Sequence, residues 1–291
     1  MGFREALESG KFVVTAEVGP IKGTETEGLL EDAALIGDMV DAINVTDLQS
    51  SVMRLGSMAV CHLLTDRGID PIFQMTCRDR NRLALQSDLL SAWVLGVRNV
   101  LALTGDHPAL GDHPDAMPVF DLDSVSLLRV ITGLNHGRDM VGNELKGAPN
   151  FLAGAVVNPG ADNEAALEMQ ILKMEKKIEA GAKFFQTQGI FDLDLFQKFM
   201  KRAESFKVPV LGGIILLKSA GMARFMNKNV AGVFVPESLV KEMEQTKDKV
   251  QTSAGIAAEL IKGMKDLCQG IHIMAIGWEK KIPLVLREAG L

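Results

Sequence analysis

The sequence predicts an α/β fold, a single (β/α)8 TIM barrel over residues 1–291, and two observations predict it. Eight short runs rich in β-branched and apolar residues alternate with longer amphipathic stretches, the pattern of repeated strand–helix units. No composition break or Pro/Ser-rich linker divides the 291 residues, which favours a closed barrel over an open doubly wound sheet. In chain order the strands fall at 12–17, 41–46, 71–76, 99–103, 151–156, 184–187, 209–216 and 270–275. Helical patterns fill the gaps at 27–39, 51–67, 80–95, 124–134, 163–180, 193–206, 218–226, 236–268 with an interruption, and 279–289. The helix at 163–180 has readable ends: Glu164 lies early, Lys176 and Lys177 lie late, as the helix dipole favours, and Gly181 suits the position just past the C-cap. One irregular stretch, GDHPALGDHPDAMPVFD at 105–121, carries three prolines and two GDHP repeats. It follows the fourth strand, so it belongs at the C-terminal face, where barrels carry their chemistry.

Composition excludes several classes. With 31 Lys+Arg against 37 Asp+Glu the net charge is −6, which argues against a nucleic-acid or anionic-membrane surface. Three distant cysteines, Cys61, Cys77 and Cys268, form neither a disulfide framework nor a C-x-x-C pair, and a reducing cytoplasm is the expected setting. The first ten residues lack the apolar core of a signal peptide, and no apolar run reaches the roughly 18 to 20 residues of a bilayer span. There is no tyrosine at all, so phenol chemistry is unavailable.

In a parallel barrel the strand C-termini converge on one mouth. The positions gathered there are Glu17, Thr46, Thr76, Asp106, Asn158 and Gln188. Glu17 ends VVTAE before Val18, Gly19 and Pro20, a partly apolar rim that suits a general acid. The same position equally suits a surface glutamate or a structural ion pair. Gly105 would let backbone approach a ligand closely, and the Asp106 carboxylate can accept two N–H donors of a heterocycle or cap its own loop. Gln188 offers a donor and an acceptor, though an exposed amide there is unremarkable. Five histidines are present, but no H-E-x-x-H or Cys/His ligand spacing, so no metal site is predicted. Neither a G-x-S-x-G elbow nor a G-x-G-x-x-G or Walker sequence occurs, and Cys77 has no base beside it.

Taken together, TAEVGP at 15–20, INVT at 43–46, QMTCRDRN at 74–81, LALTGDHP at 101–108, EAGAKFFQTQGIFD at 179–192 and GIHIM at 270–274 resemble the methylenetetrahydrofolate reductase family. The resemblance implies a barrel with a flavin in its mouth, passing hydride from reduced flavin N5 to the one-carbon unit of 5,10-methylenetetrahydrofolate to give 5-methyltetrahydrofolate. By position, Glu17 looks like the acid that protonates N10, while Asp106 and Gln188 resemble the residues that bind and orient the folate. Thr46, Gln74, Thr76, Thr104, Gly105 and Asp106 match stretches that contact flavin, and Lys177 matches a cation facing its phosphate. FAD is the implied cofactor. Departures leave FMN open: Gln74 stands where the family commonly has His, VVNPGADN at 156–163 lacks the family's Tyr and His, and Trp278 replaces a basic residue beside Lys280 and Lys281. The electron donor is expected to be NAD(P)H or a redox partner protein, and the chain to be a homo-oligomer or a complex subunit. An alternative is a flavin- or folate-binding subunit with little activity alone. A chain ending just after the barrel leaves no room for a C-terminal regulatory domain, so none is expected.

Overall fold

All eight strands form, and in the computed structural model, which describes residues 1–160 and 163–291, they pair in sequence order into a closed parallel barrel. They are β1 (Val13–Val18), β2 (Ala42–Val45), β3 (Pro71–Thr76), β4 (Asn99–Leu103), β5 (Leu152–Val157), β6 (Phe184–Gly189), β7 (Val210–Ile215) and β8 (Gly270–Met274). β8 closes onto β1 with Val13 opposite Gly270 and Ala16 opposite Ile273, so the sheet keeps no open edge. The strands are buried on both faces and therefore read as apolar runs rather than alternations.

The outer layer holds α2 (Glu27–Gly37), α3 (Ser57–Thr65), α4 (Arg82–Val94), α5 (Ser124–Asn135), α6 (Glu164–Glu179), α7 (Leu193–Ala203), α8 (Ala220–Asn229), α9 (Glu237–Gln245), α10 (Lys249–Met264) and α11 (Ile282–Ala289). Gly181, at φ +116°, ends α6 as expected, and a side chain there would collide with Thr132. One expectation needs correction. The helix expected at 51–67 begins only at Ser57, because Ser50 and Ser51 take left-handed backbone in a tight turn over Gln49–Ser51. The interruption expected within 236–268 is found: Thr246 leaves the first helix in an extended conformation, and Asp248 caps the second by accepting from Gln251 N at 3.0 Å.

One helix was not legible. α1 (Phe3–Glu8) seats Phe3 edge-to-face on Phe184 of β6, with ring centroids 5.1 Å apart. Phe3 and Ala6 join Val13, Ala42, Ile72, Leu101, Leu152, Phe184 and Leu211 in an apolar cluster separate from the larger core under the outer helices. This plug fills the N-terminal end of the barrel interior. Above it the interior becomes polar: Asn44 and Gln186 exchange reciprocal amide hydrogen bonds at 2.8 and 3.0 Å, and Gln186 also donates to Thr15 Oγ1. Among the described residues, no helix is long and apolar enough to cross a membrane.

Candidate active site

Inward positions advance two residues at a time along a strand. On β1 they run from Val13 in the apolar plug, through Thr15 in the polar layer, to Glu17 near the mouth. Glu17 is 8% exposed, and three elements meet on its carboxylate. Gln74 of β3 donates to Oε2 at 3.1 Å, Gln49 of the β2–α3 loop donates to Oε1 at 3.3 Å, and His272 Nε2 of β8 stands 3.6 Å from Oε2. His272 Nδ1 in turn lies 3.0 Å from Thr15 Oγ1. A glutamine amide can turn its N–H to a carboxylate or its oxygen to a carboxylic acid, so this surround can serve either protonation state.

Beside this cluster opens a cavity of about 500 Å³. Eight residues singled out from the sequence line it: Gln74, Thr76, Thr104, Gly105, Asp106, Asn158, Lys177 and Gln188. Glu17 instead lines a neighbouring cavity of about 480 Å³ with Gly19, Glu25, Asp32, Arg54 and Ile276, and Gln49 lines both. Thr46 lines neither: it is buried behind β1, where its backbone N–H donates to Val18 O at 3.2 Å.

The local chemistry explains these placements. Gly105 sits at φ +92°, with a virtual Cβ only 3.1 Å from Thr76 and Arg78 side chains, so glycine alone lets the β4 end turn tightly against the β3 end. Asp106 is exposed, and its carbonyl accepts from Ser51 Oγ at 3.1 Å and Arg78 Nη1 at 3.4 Å. Its carboxylate, by contrast, takes no protein hydrogen bond among the described residues and does not cap the loop. Gln188 Oε1 accepts from Gly189 N at 3.0 Å, and Thr104 Oγ1 accepts from Ser124 N at the start of α5. Lys177 donates to Val156 O at 2.7 Å, and burial, aided by Lys173, pushes its pKa down to about 8. Asn158 closes its own loop, accepting from Gly160 N and donating to Ala231 O; positions 161–162 of the 156–163 stretch lie outside the described residues.

Sequence reasoning missed two supports. Buried Asp47 accepts from Thr76 N and Thr76 Oγ1 at 2.9 Å and from Arg80 at 2.8 Å. Buried Arg78 clamps the β2–α3 loop through Leu48 O and Ser51 Oγ. Asp47 directly follows a strand end, a signal that could have found it; nothing in the sequence pattern singles out Arg78. Leu48, Ser50, Ser51 and Ile276 all have φ between 47° and 58°, conformations costing about 1–3 kcal/mol each, and all four border the mouth. The histidines of the long loop are occupied locally. His107 accepts from Ala109 N, and His113 pairs with Asp112, whose carboxyl Lys22, His113 and Met53 N together hold well below the usual range. Burial pushes the Cys77 thiol up to about 12, which keeps it protonated and a poor nucleophile.

A methylenetetrahydrofolate reductase family profile matches residues 2–290. The chain belongs to the methylenetetrahydrofolate reductase family. It is 26% identical to methylenetetrahydrofolate reductase 2 of Schizosaccharomyces pombe over 77% of its length, and 24% identical to a probable NADPH-linked member of Caenorhabditis elegans over 91%. It spans only 36% and 39% of those two proteins. The Escherichia coli 5,10-methylenetetrahydrofolate reductase is nearer in size, 24% identical with 77% of this chain covering 73% of that one. Among solved structures, a Clostridium thermocellum protein described as binding two copies of 5-methyl-5,6,7,8-tetrahydrofolic acid superposes at TM-score 0.61 with 16% identity, covering 99% of this chain and 97% of that one. A 2,3-dimethylmalate lyase reaches 0.53 at 13% identity, over 99% of this chain and 84% of that one. These structural likenesses show the barrel the family shares with other enzymes, and the family assignment rests on the sequence match.

Proposed function

We propose that this chain is a flavin-dependent 5,10-methylenetetrahydrofolate reductase, an oxidoreductase that yields 5-methyltetrahydrofolate. The observation that carries this reading is a buried Glu17 held by Gln74 and Gln49, both of which also line the mouth cavity that presents Asp106 and Gln188. Family membership and the folate bound by the Clostridium protein support it.

The donor set fits a flavin. The cavity combines an apolar wall of Ala102, Leu103, Val156 and Val157 with hydrogen-bonding groups and two lysines, which suits a planar heterocycle bearing a phosphate. Gln74, Thr76, Thr104, Gly105 and Asp106 would hold the ring system, and Lys177 with Lys173 the phosphate. FAD is the expected form; FMN offers the same ring and first phosphate. A bound flavin supplies the hydride that the one-carbon unit receives.

The protein's own part is binding and proton transfer. The Asp106 carboxylate, which takes no protein hydrogen bond among the described residues, accepts the N–H groups of the pterin. Gln188 orients that ring with its free amide N–H. Glu17 protonates the substrate's N10, opening the five-membered ring to an electrophilic iminium, a transfer typically worth about 10²–10⁴ in rate. Electrons come from NAD(P)H or a redox partner protein.

The test is to purify the protein, identify its bound flavin by mass, and assay 5,10-methylenetetrahydrofolate reduction with NADH, NADPH or a chemical reductant. Turnover with any of these supports the reading. Turnover with a chemical reductant alone assigns the electrons to a partner protein. Flavin-loaded protein that reduces no methylenetetrahydrofolate under any of them refutes the proposal.

A further inference from the structure

We propose that Gln49 is a displaceable cap on Glu17: its amide occupies the carboxyl oxygen that the substrate's amine takes over, so binding exchanges one hydrogen bond for another at Oε1. The inference rests on Glu17 being the proton donor of the proposed reaction.

Three observations carry it. First, the two oxygens of Glu17 are held unequally. Oε2 receives the buried Gln74 amide at 3.1 Å and faces His272, whereas Oε1 has, among the described residues, only the exposed Gln49 at 3.3 Å. Oε1 is therefore the oxygen open to exchange. Second, Gln49 lines both the Asp106 cavity and the Glu17 cavity, and its amide is the part that reaches Glu17. A molecule bound by Asp106 that takes a hydrogen bond at Oε1 of Glu17 therefore competes with it. Third, the backbone on either side of Gln49 is fixed. Arg78 donates to Leu48 O and to Ser51 Oγ, Ser51 N donates to Leu48 O at 2.9 Å, and Leu48, Ser50 and Ser51 are held in left-handed conformations. The part left to turn is the side chain. A neutral amide suits the role, since it neither repels Glu17 nor forms a lasting ion pair with it.

The experiment compares wild type with Gln49→Leu, which keeps the bulk but loses the N–H, and Gln49→Ala, which loses both. Flavin-loaded proteins are titrated calorimetrically with 5-methyltetrahydrofolate, and KM and kcat for 5,10-methylenetetrahydrofolate are measured separately. Because the competing bond is gone, both variants should bind about two- to tenfold more tightly, the size of one exchanged hydrogen bond, with KM falling in step. Flavin content and a thermal melt verify folding, and if the alanine variant misfolds the leucine variant decides. Binding that weakens or stays unchanged in a folded variant, while wild type binds and turns over, overturns the cap and leaves the reductase reading intact. If wild type neither binds 5-methyltetrahydrofolate nor turns over, the reductase reading fails and the cap falls with it.

Discussion

Glu17 has no lysine or arginine within ion-pair distance among the described residues; its nearest ionisable partner is His272. A carboxyl held by amides and an imidazole suits the proton donor of the proposed reaction. Glu17→Gln keeps the shape and should lower the rate of methylenetetrahydrofolate reduction by at least about 10²-fold while flavin content and reduction by the electron donor persist. Parallel loss of flavin would instead assign Glu17 to the fold. Lys177 gives a second residue-scale prediction. Burial lowers its pKa from 10.5 to about 8, so between these values the unfolded chain still holds a proton that the folded chain has shed. Stability then rises with pH across that interval, and the rise should vanish in Lys177→Met. An anion bound against Lys177 should restore its proton, so inorganic phosphate binding near pH 8 should take up protons from the buffer in wild type alone.

At the scale of elements, the strands were legible because each is a short apolar run bounded by turn residues. Most of the mouth residues were legible with them, since their side chains project from strand ends. What stayed hidden was held by contacts across the sequence. Gln49 and Arg78 sit in segments without periodicity, and their roles depend on Glu17 and Ser51, which lie about thirty residues away in sequence, the distance that the barrel repeat closes. α1 has six residues, too few for a helical pattern to declare itself, and gains its place from Phe184 and from Asp70, which accepts from Phe3 N at 2.8 Å. Phe3→Ala should cost about 3–5 kcal/mol, seen as a lower denaturant midpoint with an unchanged slope, while folded protein keeps its activity. Asp47→Ala should cost a similar ~3–5 kcal/mol, because Arg80 and Thr76 N lose their buried acceptor. That variant should also lose flavin affinity, since Thr76 lines the cavity.

Across the whole molecule, the barrel interior runs from an apolar plug under α1, through the Asn44–Gln186–Thr15 layer, to the amide-held Glu17. Stability is thereby concentrated at one end and chemistry at the other, as parallel barrels in general divide them. The architecture is shared with a lyase of different chemistry, so the mouth residues, and not the barrel, distinguish the activity. With no tyrosine in the chain, the proposed proton transfer falls to a carboxyl group, Glu17, in place of a phenol. The most direct test is a single turnover without oxygen: flavin-loaded protein is reduced, freed of excess reductant and mixed with 5,10-methylenetetrahydrofolate. The oxidised flavin spectrum should return with one 5-methyltetrahydrofolate formed per flavin, and both changes should be at least about 10²-fold slower in Glu17→Gln. Reduced flavin that persists unchanged in the wild-type protein would contradict the reductase reading.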